Sequence, residues 1–274
     1  MADVKLFGRK IRVVVSTIEI TELTMLFNVV KTLKPEPNKA ELTIYNLNPS
    51  NRSKLEQMVQ APVQIEAGYQ EGMSVLFLGD LRTAITIHQG PDYITKLSSG
   101  DGERAVKTAR VNVSLKKGSA SADKVLEAVA KSLGVGDGNL KQALNVIKAA
   151  GLADLFSEGT VIFGSAFREM NELCKSLGLS WSIQGGKLQI LELKKALEGQ
   201  AIKISERTGL IGSPTVDNKG VLTCQTLLIP DVFPGRLMTL ESERIQGQYR
   251  IESCQYTGDT RGQDWYIQIE GKRY

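Results

Sequence analysis

Residues 35–49 read Pro-Glu-Pro-Asn-Lys-Ala-Glu-Leu-Thr-Ile-Tyr-Asn-Leu-Asn-Pro. Pro35 and Pro37 lock φ and withdraw two amide donors, so the segment opens as a turn and no helix runs through it. From Ala40 the polarity alternates. Ala40, Leu42 and Ile44 face one way, and Glu41, Thr43 and Tyr45 the other, which is the period of a strand with one buried face. Upstream, residues 25–32 (Met-Leu-Phe-Asn-Val-Val-Lys-Thr) form a second apolar, β-branched run. Two such runs around a proline turn predict a hairpin. Downstream, Asn48 suits an N-cap and Pro49 the first helical position, so a short helix over residues 49–59 is expected. A strand over 63–69 follows.

Working outward, residues 10–16, 75–78, 81–87 and 93–97 add further short strands, with Gly68, Gly72, Gly79 and Gly90 at the turns. Leu81, Thr83, Ile85 and Ile87 are expected on one face, with Arg82, Thr86 and His88 on the other. Many short strands, turn signals and one helix indicate a closed or nearly closed antiparallel barrel. Residues 104–115 read as its exit strand. The composition then shifts through the polar link Lys116-Lys117-Gly118-Ser119-Ala120-Ser121. Three amphipathic helices follow, from Ala122 to Leu133, over residues 140–150, and over residues 165–177. A hairpin then turns through Gly185-Gly186. Strand signals return over 221–228, 236–241, 248–257 and 264–271. The chain therefore reads as α+β and mostly β.

Several blocks carry a resemblance. The run "EPNKAELTIYNLNP", then "VQIEAGY" and "LFLGDL", is similar to the N-terminal part of baseplate hub proteins of contractile-tailed bacteriophages, of the late control protein D-like, tail-tube-barrel kind. "TGLIGSPTV", "PGRLMTLES" and "GQYRIESCQYTGDTRGQDWYIQIEG" resemble the C-terminal part of the same proteins, and "AFREMNELCKSLGLSW" matches the middle more weakly. No residue in these blocks does chemistry, so the likeness speaks to architecture. It implies two tail-tube-like antiparallel β-barrel domains, residues 1–116 and 196–274, flanking a small α+β insert, residues 117–195. It further implies a non-enzymatic virion protein of the tail baseplate, assembled in the host cytoplasm. As a homotrimer it would join a sixfold tail tube to a threefold central spike and line the DNA channel. The partners implied are tail tube protein, central spike protein, tape measure protein and other baseplate proteins, with DNA only in transit. The alternatives are a tube or spike adaptor of a related contractile injection machine and, from a different class, a peptidoglycan hydrolase of the tail tip. A soluble carbohydrate- or nucleic-acid-binding barrel is a third.

Composition sets the outer bounds. The 274 residues are 42% hydrophobic and 23% charged, enough for ordinary cores in one large or two to three small domains. A net charge of +4, from 34 basic against 30 acidic residues, is too mild to mark a nucleic-acid binder. No apolar run approaches bilayer-crossing length, and residues 1–10 hold no hydrophobic signal core, so no membrane insertion or export is expected.

Candidate chemistry is thin. His88 is the sole histidine and closes a strand beside Gln89-Gly90-Pro91, with no nucleophile elbow near it. Cys174, Cys224 and Cys254 lie far apart and read as reduced, partly buried thiols. One histidine and scattered cysteines do not supply a zinc site. Carboxylates are plentiful, but a glycosidase cleft is not readable from their number. Asp259-Thr260-Arg261-Gly262 with Asp264 lacks the alternating ligands of a calcium loop and reads as a hairpin turn. Gly134-Val135-Gly136-Asp137-Gly138 follows a helix and lacks Gly-Lys-Thr, so it reads as a connector rather than a phosphate loop. Lys116-Lys117 reads as a solvated link, and Tyr69, Trp181 and Trp265 as packing residues. No catalytic, cofactor-binding or metal-binding residue is assigned. The one site expectation is an interface at the hairpin tip, Pro35, Pro37, Asn38 and Lys39, which is polar and rigid and is expected at a rim or subunit contact.

Overall fold

The computed structural model describes residues 8–152, 156–229 and 231–274. Most of the stretch read for a leader, residues 1–10, lies outside them. The first strands are β1 (Arg9–Val15), β2 (Ile18–Ile20), β3 (Met25–Thr32) and β4 (Lys39–Tyr45). Helix α1 (Pro49–Gln57) follows, capped as expected, with the Asn48 carboxamide oxygen accepting from the Asn51 amide at 2.8 Å. Then come β5 (Pro62–Tyr69), β6 (Gly72–Gln89) and β7 (Asp92–Gly100). The two strands expected over 75–78 and 81–87 are thus one continuous strand of 18 residues.

Residues 104–115 are not one strand. Glu103–Thr108 coils into helix α2, and only Arg110–Leu115 is extended, as β8. Helices α3 (Ala122–Ser132) and α4 (Leu140–Ala149) lie where the periodicity placed them. Strand β9 (Thr160–Ser165) was not anticipated and pairs with β8. Helix α5 (Ala166–Ser176) leads to the hairpin β10 (Leu179–Gln184) and β11 (Lys187–Glu192). Its Gly185 and Gly186 have φ of 61° and 72°, the left-handed pair that a tight two-residue hairpin requires. The chain continues through β12 (Ile202–Ser205) and β13 (Leu210–Val216), also unanticipated, then β14 (Val221–Leu227), β15 (Leu237–Glu241), β16 (Gln246–Asp259) and β17 (Trp265–Arg273).

The chain divides into two compact units. One holds the described part of Met1–Thr32 with Asn38–Asp101 and Ala196–Tyr274; the other holds Leu33–Pro37 and Gly102–Lys195. In the first unit, one 13-stranded sheet runs β13-β14-β17-β16-β3-β4-β7-β6-β5-β1-β2, with β15 also on β16 and β12 on β15. Strands from both ends of the chain therefore share a sheet, and they share one core. Phe27, Leu42, Ile65 and Phe77 cluster with Leu222, Leu240, Ile251 and Ile267.

Two long strands each change neighbours along their length. The front of β6 pairs with β5 and its rear with β7, with a bulge between Leu81 and Thr83. The front of β16 pairs with β15 and its rear with β3, next to a bulge between Ile251 and Ser253. A bulge bends and twists a strand, which lets one strand pass from one sheet layer to the next.

The second unit has its own core, built from α3, α4, α5 and the β10–β11 hairpin around Leu126, Ile147, Met170 and Trp181. The Asn139 side chain pins β11 by accepting from the Ile190 amide at 2.7 Å and donating to its carbonyl at 2.6 Å. The glycine-rich stretch before α4 is explained here. A Cβ on Gly138 would lie 1.7 Å from the Leu188 carbonyl oxygen, so the connector is close-packed against β11.

The β3–β16 pairing depends on one missing side chain. A Cβ on Gly258 would lie 2.2 Å from Phe27 and 2.9 Å from Trp265, two rings packed edge to face at 5.4 Å. Replacing Gly258→Ala is expected to lower unfolding free energy by about 1–3 kcal/mol through overpacking. Chemical denaturation followed by tryptophan fluorescence would read this, and an unchanged midpoint would contradict the packing described.

Candidate assembly interface

The hairpin tip is built around a buried amide. Asn38 is only 3% exposed, so it is an anchor rather than a projecting group. Its carboxamide oxygen accepts from the Thr32 amide at 2.9 Å, and its nitrogen donates to Asp101 at 3.3 Å. The Asp101 amide donates in turn to the Asn38 carbonyl at 2.9 Å. Pro35 and Pro37 are half-buried, while Lys39 is exposed. The structure thus separates the four residues expected at the tip: Asn38 faces inward and shapes the turn, and Lys39 is left on the surface.

Beyond the tip, the sheet presents a broad outward face. One row crosses five strands as Gln225, Gln268, Gln255, Val30 and Lys39. The next runs Tyr266, Thr257, Asn28, Glu41, Ser98 and Thr83. Gln255 donates to Asn28 at 3.0 Å and Ser253 to Glu270 at 2.8 Å, so the side chains form a polar lattice over the backbone. The face is amide- and hydroxyl-rich, with Glu41 and Glu270 offsetting Lys39 and Lys96.

Here the structure differs from the alternation read along β6. Leu81 is buried, but Thr83, Ile85 and Ile87 are exposed, with Ile85 at 58%. The bulge after Leu81 adds one residue and flips every later side chain to the other face. An apolar stripe on a strand ordinarily reads as core, and Gly79, two residues before Leu81, reads from the sequence as a turn between two strands rather than as the mark of a flip.

The groups that could carry chemistry are dispersed. His88 is exposed and stacks on Tyr93 at 4.5 Å, while the Arg52 guanidinium lies 3.8 Å from the center of the Tyr93 ring. The three thiols are buried, and desolvation pushes each up to about 12. Lys31 is buried beside Asp101. Burial pulls its amine below the usual lysine range, and the Asp101 charge opposes that pull. The turn after β16 is the expected hairpin: the Arg261 amide donates to the Asp259 carboxylate at 2.8 Å. Arg9 closes that turn by donating to the carbonyls of Asp259, Gly262 and Gln263 at 3.1, 2.7 and 2.8 Å. Among the described residues, no group of three His, Cys, Asp or Glu side chains is placed to hold a metal ion. None of their helices is long and apolar enough to cross a membrane.

The chain can now be set beside known proteins. Its sequence matches the family described as baseplate hub gp41 over residues 11–271. Among curated proteins, none matches it by sequence. Its fold is similar to the 43 kDa tail protein of prophage MuSo2 from Shewanella oneidensis, with TM-score 0.67, 11% identity and 97% of each chain covered. It is similar as well to a tail protein of Neisseria meningitidis MC58, with TM-score 0.68, 9% identity and 97% of each chain covered. A third similar structure is the E. coli c3393 protein, a component of the type VI secretion system described as resembling T4 tail proteins gp27 and gp5. There the TM-score is 0.61 at 7% identity, over 96% of this chain and 76% of that one. At these identities the structures speak to fold alone, which is the mostly antiparallel tail-protein fold.

The anchoring role of Asn38 has a direct check. Removing its side chain in Asn38→Ala breaks its bonds to the Thr32 amide and to Asp101 and is expected to cost about 1–3 kcal/mol. Lys39→Ala, on the surface beside it, should stay within about 0.5 kcal/mol of the parent. Equal denaturation midpoints for the two variants would contradict the anchor.

Proposed function

The chain belongs to the baseplate hub gp41 family, and from that premise we propose that three copies form a ring joining a sixfold tail tube to a threefold central spike. Family membership makes it a structural protein of the phage tail baseplate rather than an enzyme. That match over nearly the whole chain is the observation that carries the reading. The peptidoglycan hydrolase considered from the sequence is set aside on the same ground.

The finer role follows from symmetry and surface. Two tube-like halves per chain give six in a trimer, the number that meets a sixfold tube, while the trimer itself meets a threefold spike. The outward sheet face suits a channel wall. A lumen that passes DNA must be wettable yet hold few unpaired cations, because phosphate contacts add affinity and slow passage. The neutral Gln225, Gln268, Gln255 row, on a face where Glu41 and Glu270 offset Lys39 and Lys96, meets both needs. The exposed part of the hairpin tip, Lys39 with the half-buried Pro35 and Pro37, is assigned to the contact with a neighbouring baseplate component, with Asn38 holding its shape. In this reading the hub assembles in the host cytoplasm, and DNA and tape measure protein only traverse it. Likeness to the type VI component favours a second reading, the same adaptor role in an injection machine without a capsid.

Mass in solution by light scattering, with end-on electron microscopy, tests the proposal. A trimer with an open, water-filled lumen is expected at high protein concentration. A monomer at every concentration, or a ring plugged by residues 120–190, would overturn it.

A further inference from the structure

The sheet of the first unit contains the same four-strand arrangement twice. Strands β3-β4-β7-β6 are consecutive neighbours, and so are β13-β14-β17-β16. Each set is a hairpin, β3–β4 or β13–β14, followed by a second hairpin, β6–β7 or β16–β17. In both, the second hairpin starts with the long bulged strand, whose front portion pairs with the strand preceding it, β5 or β15.

The bulges align the two sets residue by residue. Thr83 and Ser253 are each the first paired residue past the bulge. From Thr83 the row across the sheet is Ser98, Glu41, Asn28. From Ser253 it is Glu270, Thr223, Thr215. Two residues further on, the row Ile85, Lys96, Thr43, Leu26 matches Gln255, Gln268, Gln225, Ile211. Asn28 therefore corresponds to Thr215, Leu26 to Ile211, and Ile87 to Thr257.

Within the chain the two sets are joined by β16 against β3, with Thr257 opposite Asn28 and Asp259 opposite Leu26. The equivalent joint at the other end would put the rear of β6 against β13. Among the described residues, β13 pairs as a strand only with β14, and residues 83–89 of β6 pair as a strand only with β7. Both edges carry exposed apolar side chains: Ile85 at 58% and Ile87 at 39% on one, Ile211 at 37% and Val216 at 44% on the other. Exposed apolar residues at two opposite edges with no strand beside them mark surfaces that a partner covers. Directions agree too. All seven pairings along β13-β14-β17-β16-β3-β4-β7-β6 are antiparallel. The two edge strands of this eight-strand run therefore point in opposite directions. In a ring, where every copy has the same polarity, β6 of one copy meets β13 of the next as an antiparallel neighbour.

We infer that the subunits of the ring are joined head to tail, with the rear edge of β6 from one copy laid along β13 of the next, in the register of the internal β16–β3 joint. Ile87 then lies opposite Thr215 of the next copy, and Gln89 opposite its Ile211. The occupant of each edge is a second copy of this chain. Each device that interrupts an ordinary ladder has a place in this contact. Glu56 accepts from the Thr86 amide at 2.9 Å, and Pro214 with Gly212 bulges β13. The joint is consequently held more by packing of Ile85 and Ile87 than by a full set of backbone bonds.

This inference rests on the trimeric reading, and cysteine cross-linking separates the two. The double variant Ile87→Cys/Thr215→Cys of the full chain, oxidised at high concentration, is expected to give covalent dimers and trimers on a denaturing gel. Either single variant should give none, because a head-to-tail contact brings different residues together. The native thiols are buried and stay out of the reaction. In parallel, Ile85→Asp should abolish the trimer while the circular dichroism spectrum stays that of the parent and the melt stays cooperative, since Ile85 is exposed. A trimer that survives Ile85→Asp with no cross-link in the double variant overturns the joint and leaves the trimer standing. A monomer in all variants and in the parent overturns the trimer and the joint with it.

Discussion

Everything in the first unit depends on the ladder between β3 and β16. It pairs residues 26–32 with residues 253–259, so it closes a loop that includes the whole second unit. Closing so long a loop costs conformational entropy, and non-local pairing returns nothing until it is formed. The ladder is reinforced along its length. Gly258 makes room for Phe27 against Trp265, the Thr260 hydroxyl accepts from the Met25 amide at 2.9 Å, and Arg9 ties down the turn between β16 and β17. Without this ladder the strands from the two ends of the chain would be two half-sheets with exposed apolar faces.

The interior of this seam is polar in one place. Lys31 on β3 lies opposite Cys254 on β16, with its amine 5.9 Å from the center of the Tyr256 ring, and feels the charge of Asp101 at the end of β7. Tyr256 donates to the Val232 carbonyl, and Asn38 bonds to Asp101. A buried polar cluster contributes little net stability, but it penalises any register that would leave a member unpaired. It sits where β3, β4, β7 and β16 converge, so it selects the register on which the outward face depends.

That outward face and the free edges beside it are where assembly is decided. The bulges in β6 and β16 turn the rear of each strand so that its polar or weakly apolar side faces out while its front remains in the core. An apolar stripe that would be core in a flat strand becomes surface on β6, and the corresponding stripe on β16 is Gln255 and Thr257. The difference fits their places in the sheet: β16 already has β3 beside it, whereas the rear of β6 has no strand there among the described residues.

Much of this was legible in the sequence. The proline turn and alternation of residues 25–45, the Asn48-Pro49 helix start, the three amphipathic helices and the Gly185-Gly186 hairpin all rest on interactions within a few residues, and each formed where it was read. The mostly β character was legible as well. What depended on distant partners was not readable. Strand β9 forms because β8 is beside it, and β13 because β14 is. Residues 103–108 coil although Arg104 to Leu115 alternates. The flip at Leu81 is not readable either, since Gly79 before it fits a turn equally well and the bulge is settled by which strand pairs on each side. Asn38 looked like a surface turn residue because its neighbours are polar; only Asp101, brought in by the β4–β7 pairing, makes it a buried anchor. By itself the sequence determined the elements and their local caps and turns. The tertiary structure alone decided that both ends of the chain share one sheet, which face of it is outward, and which edges stay open, because register and pairing are set by contacts between residues that local pattern cannot bring together.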